Sequence, residues 1–123
     1  MVLHFVDRHE ITKEMSKYRA RKTEVDGVLF DSKKEAGRYI ELMDMARSGE
    51  ISGLTLQPRF TLQPSFKKAG RTIRKIEYVA DFMYTDRSGQ TVVEDVKGMR
   101  TDVYRLKRKM FEYRFPDLTI REV

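Results

Sequence analysis

Asp95 and Lys97 stand two residues apart in TVVEDVK (residues 91–97), a run that opens on Val92 and Val93 and then turns charged. Alternate residues of a strand share a face about 6.6 Å apart, so carboxylate and ammonium lie side by side while Glu94 points the other way with Val92 and Val96. Burying such ions costs several kcal/mol each unless they are paired or bound. The pair therefore marks either an ion pair at an exposed strand end or a site. Asp81 lies on the preceding strand, in RKIEYVADFMYT (residues 74–85). A three-residue loop of Arg87, Ser88 and Gly89 sets Asp81 opposite Asp95, and a four-residue loop sets it opposite Glu94; both registers are open. Facing carboxylates repel, so the first register makes sense mainly with a cation between them. Glu35, upstream on a helix, adds a third acid. Against Lys97 the set carries a net charge of −2, which a divalent cation would neutralise, and all-oxygen donors suit Mg²⁺ or Mn²⁺ better than zinc.

The elements that must position these groups follow from pattern. TEVDGVLF (residues 23–30) reads as a strand, an Asp-Gly turn and a strand. A helix opens at Ser32 and stops at Gly49, with Ala36, Tyr39, Ile40, Met43 and Ala46 on its expected buried face. Beside that face runs a stripe of Glu35, Tyr39, Leu42 and Ala46, so Glu35 can lean towards the sheet. SKKE from Ser32 is equally a capping box, in which Glu35 returns to the Ser32 backbone N–H. LTLQPRFTLQP (residues 54–64) alternates as a strand with an edge or bend at Pro58. The next strand sets Ile76, Tyr78, Ala80, Phe82 and Tyr84 on one face, and a polar turn leads to the strand of Asp95. A second helix from Asp102 to Arg114 is expected to bury Val103, Leu106, Met110 and Tyr113, and a short strand closes the chain. Helix, three strands, helix and strand after an N-terminal hairpin is an α/β order: a meander, then a crossover helix returning a last strand to a mixed sheet.

At 123 residues the chain holds one domain. Residues 1–15 read as an appendage, with helical spacing from Asp7 to Tyr18, and residues 16–123 as the compact part. The absence of cysteine removes disulfides, thiolate metal sites and cysteine nucleophiles together. The only histidines, His4 and His9, fall in the appendage, which disfavours a histidine general base. The start carries no apolar leader, so a soluble cytoplasmic protein is expected. The net charge of +6 is unevenly spread: residues 59–75 carry +6 without one acid, and residues 97–114 carry +5. Clustered Lys and Arg in a mildly acidic body read as a polyanion-facing surface or as solvated faces, and charge alone does not separate the two.

Asp81, then Asp95-Val96-Lys97 on the next strand, with Glu35 on the helix before, resembles the PD-(D/E)XK nuclease superfamily, particularly its small phage-encoded members. Stretches such as YRARKTEVDGVLFDSKKEAGRY, LQPRFTLQP, YVADFMYTDRSG and VVEDVKGMRTDVYRLKRKMFEYRFPDLTIREV carry the similarity over residues 16–123. The resemblance implies a restriction-endonuclease-like αβββαβ core and a Mg²⁺-dependent endodeoxyribonuclease, acting in phage recombination or replication in the host cytoplasm. Its substrate would be duplex or branched DNA such as a Holliday junction, cut by a homodimer. Asp81 and Asp95, with Glu35, would hold the metal, and Lys97 would position the attacking water. Ala80 departs from the proline of the family's name, and Glu94 beside Asp95 leaves open which acid is the ligand. On this reading Arg100, Arg105, Lys107, Arg108 and Lys109 track the phosphates beside the scissile bond, while Lys67, Lys68, Arg71, Arg74 and Lys75 form an arm on flanking DNA. A nuclease-like nucleic-acid-binding or packaging protein that does not cut is the alternative, and neither charge nor motif separates DNA from RNA.

Overall fold

A computed structural model of the chain describes residues 22–96 and 100–123. The helix expected from Asp7 to Tyr18 and the lysine at 97 lie outside the described residues. In chain order the elements are β1 (Thr23–Val25), β2 (Val28–Phe30), α1 (Lys33–Arg47), β3 (Ser52–Leu56), β4 (Arg59–Gln63), β5 (Phe66–Lys68), β6 (Arg71–Ile73), β7 (Ile76–Val79), β8 (Phe82–Thr85), β9 (Thr91–Asp95), α2 (Asp102–Arg114) and β10 (Ile120–Glu122). The protein is a small mixed α/β domain. Its central sheet has the order β10-β9-β8-β3, with β10 parallel to β9 and the other pairs antiparallel.

Local chemistry accounts for the helix ends. The Ser32 hydroxyl accepts the Glu35 N–H at 3.1 Å to open α1. At its other end Gly49 takes φ +82 and its N–H reaches the Ala46 carbonyl at 3.2 Å, while the Glu50 N–H reaches Met45 at 2.9 Å. That pair of bonds is the Schellman closure, which needs a residue free to adopt left-handed φ. Thr101 opens α2 by accepting the Tyr104 N–H at 3.1 Å.

Residues 52–85 form one long hairpin. β3 pairs with β8, β4 with β7 and β5 with β6, the rungs following one another with register shifts between Ser52 and Thr55 and between Thr61 and Gln63. The hairpin ladder breaks twice, at Pro64–Ser65 opposite Arg74–Lys75 and where Gln57 takes φ 49 before Pro58; at the latter the Gln57 N–H meets the Asp81 carbonyl at 3.0 Å, and the Ala80 N–H meets the Pro58 carbonyl at 3.1 Å. Pro58 has no N–H for the ladder, so the chain bends at the position its sequence flagged. The bend also divides what the alternation presents as a single face. Phe82 and Tyr84 join the core of α1, Val28, Phe30, Leu42 and Leu56, whereas Tyr78 and Ala80 join the core of α2, Leu62, Val93, Phe111 and Ile120. Asp81 sits at this crossing.

Two helix faces differ from expectation. In α1 the buried residues are Glu35, Ala36, Tyr39 and Leu42, and Ile40 is exposed, so the stripe containing Glu35 is the inner one. In α2 the sheet takes Tyr104 and Phe111 instead of the expected Val103, Leu106 and Tyr113, which are 62%, 60% and 89% exposed. Phe111 meets Phe60 edge-on at 4.9 Å and Tyr78 at 5.5 Å. A ring seven residues from a second ring offers more burial than a stripe of smaller apolar groups, and the helix turns accordingly.

Candidate active site

The β8–β9 loop decides the geometry. The Asp86 carboxylate accepts the backbone N–H groups of Ser88 at 2.9 Å and Gln90 at 3.0 Å and the Ser88 hydroxyl at 2.6 Å, and Gly89 takes φ +87. The Asp86 N–H then bonds to the Gln90 carbonyl at 2.9 Å, closing a three-residue loop of the G1-bulge kind. The rungs that follow pair Thr85 with Thr91 through Phe82 with Glu94. Asp81 lies just before this ladder, where its N–H donates to the Glu94 carbonyl at 3.1 Å and its carboxylate accepts from the Val96 N–H, which sets it beside Asp95.

The structure brings Glu35, Asp81 and Asp95 together. The Glu35 carboxyl is within hydrogen-bonding reach of Asp81, and Asp81 within reach of Asp95. Glu35 and Asp95 are buried and Asp81 is half-buried. The Val96 N–H donates to Asp81 Oδ2 at 2.6 Å, and the buried Tyr78 hydroxyl donates to Asp95 Oδ2. Burial, the hydrogen bond with Asp95 and the charge on Glu35 push the Asp81 carboxyl up to about 8. Burial, then the charge of Asp31, raises Glu35 as well, against the pull of its bonds to Asp81 and to the Asp31 backbone. Of the two readings of Glu35, the Ser32 hydroxyl cap forms, but the carboxyl bonds to the Asp31 backbone instead of the Ser32 N–H and reaches the acids of the sheet.

Carboxyls in contact must share protons or surround a cation. Their oxygens are hard donors, and three of them at a half-buried crossing fit Mg²⁺ or Mn²⁺ in charge and chemistry. The contacts run from Glu35 to Asp81 to Asp95, and among the described residues no three His, Cys, Asp or Glu side chains are set around a common point as metal ligands.

Glu94 is separated from this cluster. It is fully buried on the α1 side, where Arg38 Nε and Nη2 clamp its two oxygens at 2.8 and 2.6 Å and the Tyr84 hydroxyl donates to it. Burial raises its pKa, but the bonds from Arg38 and Tyr84 outweigh it and hold the carboxyl below the ordinary glutamate value. The helix pattern in the sequence does not single out Arg38, and strand alternation places Tyr78 only on the face of its strand with Ile76 and Ala80. The available signals were a buried tyrosine hydroxyl, which needs an acceptor, and an arginine one turn after Glu35.

The basic residues divide. Lys67, Lys68 and Arg71 are exposed on β5 and β6, and Arg74 and Lys75 follow them. Arg59, Arg74, Lys75 and Lys107 line an open concavity of about 670 Å³ with one acid, Glu77, which Lys75 and Arg59 engage at 2.5 and 3.1 Å. In contrast, Arg100 and Arg108 converge on Glu122 of β10, Arg108 also pairs with Glu112, and Arg105 pairs with Asp102 at 3.3 Å. Arg100 and Arg108 tie α2 to β10 while Arg105 pairs within the helix, leaving Lys107, Lys109 and Arg114 as the α2 cations without a carboxylate contact among the described residues. If this arm faces a nucleic acid, the triple variant Lys67→Ala, Lys68→Ala, Arg71→Ala is expected to lower the slope of log affinity for duplex DNA against log salt by roughly two to three, at about one unit per lost phosphate contact. An unchanged slope, measured by fluorescence anisotropy, removes the arm from the interface.

The family model described as "Protein of unknown function (DUF1064)" matches residues 15–123. No curated protein and no solved structure matches the chain.

Proposed function

The chain thus belongs to the DUF1064 family, and we propose that it is a Mg²⁺-dependent endodeoxyribonuclease with a restriction-endonuclease-like core. The observation that carries the reading is the Glu35–Asp81–Asp95 contact across the β8–β9 register. Two carboxylates placed face to face, with a third added from a helix, are expensive in a fold that has no cation for them. Asp81, Asp95 and Glu35 would hold the ion, with Mn²⁺ an acceptable substitute. Bound there, it supplies Lewis acidity towards a phosphodiester and a more acidic water. The Tyr78 hydroxyl fixes the orientation of Asp95, and the Val96 N–H that of Asp81. Lys97 is assigned to orient the attacking water from its place in the sequence, two residues after Asp95. Water oxygen attacks phosphorus and the bond to the departing sugar oxygen breaks. Paired cuts need two such centres, hence a homodimer, and the outward apolar strip of Val103, Leu106 and Tyr113 supports a second copy.

The test is incubation with supercoiled plasmid and with a synthetic four-way junction, in Mg²⁺, in Mn²⁺ and in EDTA. Nicking in either metal and none in EDTA is the expected result. A second reading, a nucleic-acid-binding or packaging protein on the same fold, draws on the basic arm and on the serial arrangement of the acids. Tight binding in EDTA with no cleavage of either DNA in either metal selects it.

A further inference from the structure

All six residues of β5 and β6 are exposed, so this end of the hairpin makes no core of its own. Their register sorts them into faces. Phe66 stands opposite Ile73 and Lys68 opposite Arg71, and because alternate residues share a face these four lie together, with Lys67 and Thr72 behind them. Phe66 and Ile73 are 44% and 39% exposed. The face therefore has an apolar rung towards the domain and a cationic rung at the tip. The loop beyond is Ala69–Gly70, with φ of 51 and 74, the pair of left-handed residues that a two-residue hairpin requires. Ala69 in that region costs about 1 kcal/mol, and a two-stranded hairpin in water is marginal without a surface to cover its side chains. Phe66 and Ile73 of this one leave about two-fifths of their surface open.

We infer that the Phe66–Ile73 and Lys68–Arg71 face is a platform for unpaired DNA bases, with Phe66 stacking on a base and Lys68 and Arg71 holding the adjoining phosphates. Charge selects the occupant: residues 59–75 contain six cations and no acid, which suits a polyanion. One ring beside two cations is the combination by which single strands are held without sequence readout. Neighbouring positions on one face are about 6.6 Å apart, so ring and cation stand side by side as a base and its own phosphate do. The inference rests on the nuclease reading and names its substrate class, DNA with single-stranded nucleotides at a gap or branch. Phe66 pairs with Ile73, eight residues along the strand from Asp81, which is up to about 25 Å. That distance is roughly seven steps of duplex. The platform would therefore engage DNA well away from the bond being cut, where a branch presents open bases.

The chain has no tryptophan, so Phe66→Trp installs a single indole, excitable apart from the tyrosines, at the stacking position. In EDTA this variant is titrated with a short oligothymidine, with a blunt duplex of equal length and with a four-way junction, alongside wild type and Phe66→Ala followed by anisotropy. The expected result is emission quenched by the oligothymidine and the junction and unaltered by the duplex. Wild-type affinity is retained in Phe66→Trp, and a loss of about tenfold for oligothymidine appears in Phe66→Ala, in line with one stacked base, with less than a twofold change for duplex. Absence of quenching, an unchanged oligothymidine affinity in Phe66→Ala, or an equal loss on duplex overturns the platform. Because Phe66 is outside the core, circular dichroism of both variants should match wild type. Quenching without Mg²⁺-dependent cleavage leaves the platform standing and removes the nuclease, and cleavage without quenching does the reverse.

Discussion

Replacing Asp81 by asparagine is expected to slow cleavage severely while making the metal-free protein more stable at alkaline pH. The two effects have one cause. In the folded chain the Asp81 carboxyl holds its proton up to about pH 8, because burial, Asp95 and Glu35 oppose its ionisation. An acid with a raised folded-state pKa stabilises the fold fully below its unfolded value, near 3.8, and that contribution is lost as pH rises through the folded value. Metal-free stability should therefore decline between about pH 4 and pH 9. The asparagine amide can still accept from the Val96 N–H and can donate to Asp95, so the variant reproduces the protonated state and its melting temperature should fall less over that interval, with only the raised Glu35 left to lower it. At pH 8.5 in EDTA the variant should melt several degrees above wild type. Adding Mg²⁺ reverses the order, since ligand binding raises the wild-type melting temperature and the variant has lost a ligand. Cleavage should fall on the order of 10³-fold, the scale on which removing one charge-stabilising group acts. Equal Mg²⁺-induced shifts in both proteins would take Asp81 out of the metal site whatever happened to the rate.

Much of the positioning of this cluster was legible because it depends on short-range chemistry. Ser32 and Gly49 bound a helix through one hydroxyl and one left-handed φ, and Asp26-Gly27 turns a hairpin, all readable from residue type. The register that sets Asp81 against Asp95 was not. It depends on the Asp86 side chain gathering the N–H groups of Ser88 and Gln90, and a four-residue loop would have satisfied the same polar residues. Periodicity also failed where two apolar stripes compete on one helix. In α2 the stripe of Val103, Leu106 and Tyr113 is as regular as that of Tyr104 and Phe111, and only the aromatic partners Phe60 and Tyr78, distant in sequence, decide between them. Strand alternation misled for a related reason. It assumes a straight strand, whereas the bend opposite Pro58 hands Tyr78 and Phe82 to different cores. The choice between Glu94 and Asp95 required all of this together, because the acid left to Asp81 is the one that Arg38 does not hold.

Arg38→Met is expected to produce the largest loss of stability of any single change near the site. Its guanidinium meets both oxygens of Glu94, a carboxylate with no solvent exposure, and its own side chain is only 16% exposed. Removing one partner of a buried pair strands the other charge, at about 3–5 kcal/mol. The lower end applies because Arg121 stands 3.9 Å from the same carboxylate, although that side chain is 58% exposed and its help is correspondingly screened. A loss of about 3 kcal/mol corresponds to roughly 12 °C in melting temperature for a domain of this size. The pH dependence gives a second readout. Because Glu94 is held below its usual value, the pair stabilises the fold above about pH 4.5, the unfolded value, and its contribution disappears as pH falls through the lower folded value. Wild type should accordingly show a steep acid limb that is shallower in the variant. Adding Glu94→Gln to Arg38→Met removes the stranded charge and should restore part of the lost stability; Glu94→Gln alone, which leaves Arg38 only the exposed Glu41 at 2.9 Å as a charged partner, should not be neutral. Additive losses in the double variant would mean that clamp and carboxylate act independently. The consequence reaches the site through the backbone: Arg38 is on the helix of Glu35 and Glu94 is bonded next to Asp95, so this clamp is what holds the helix acid against the two acids of the sheet.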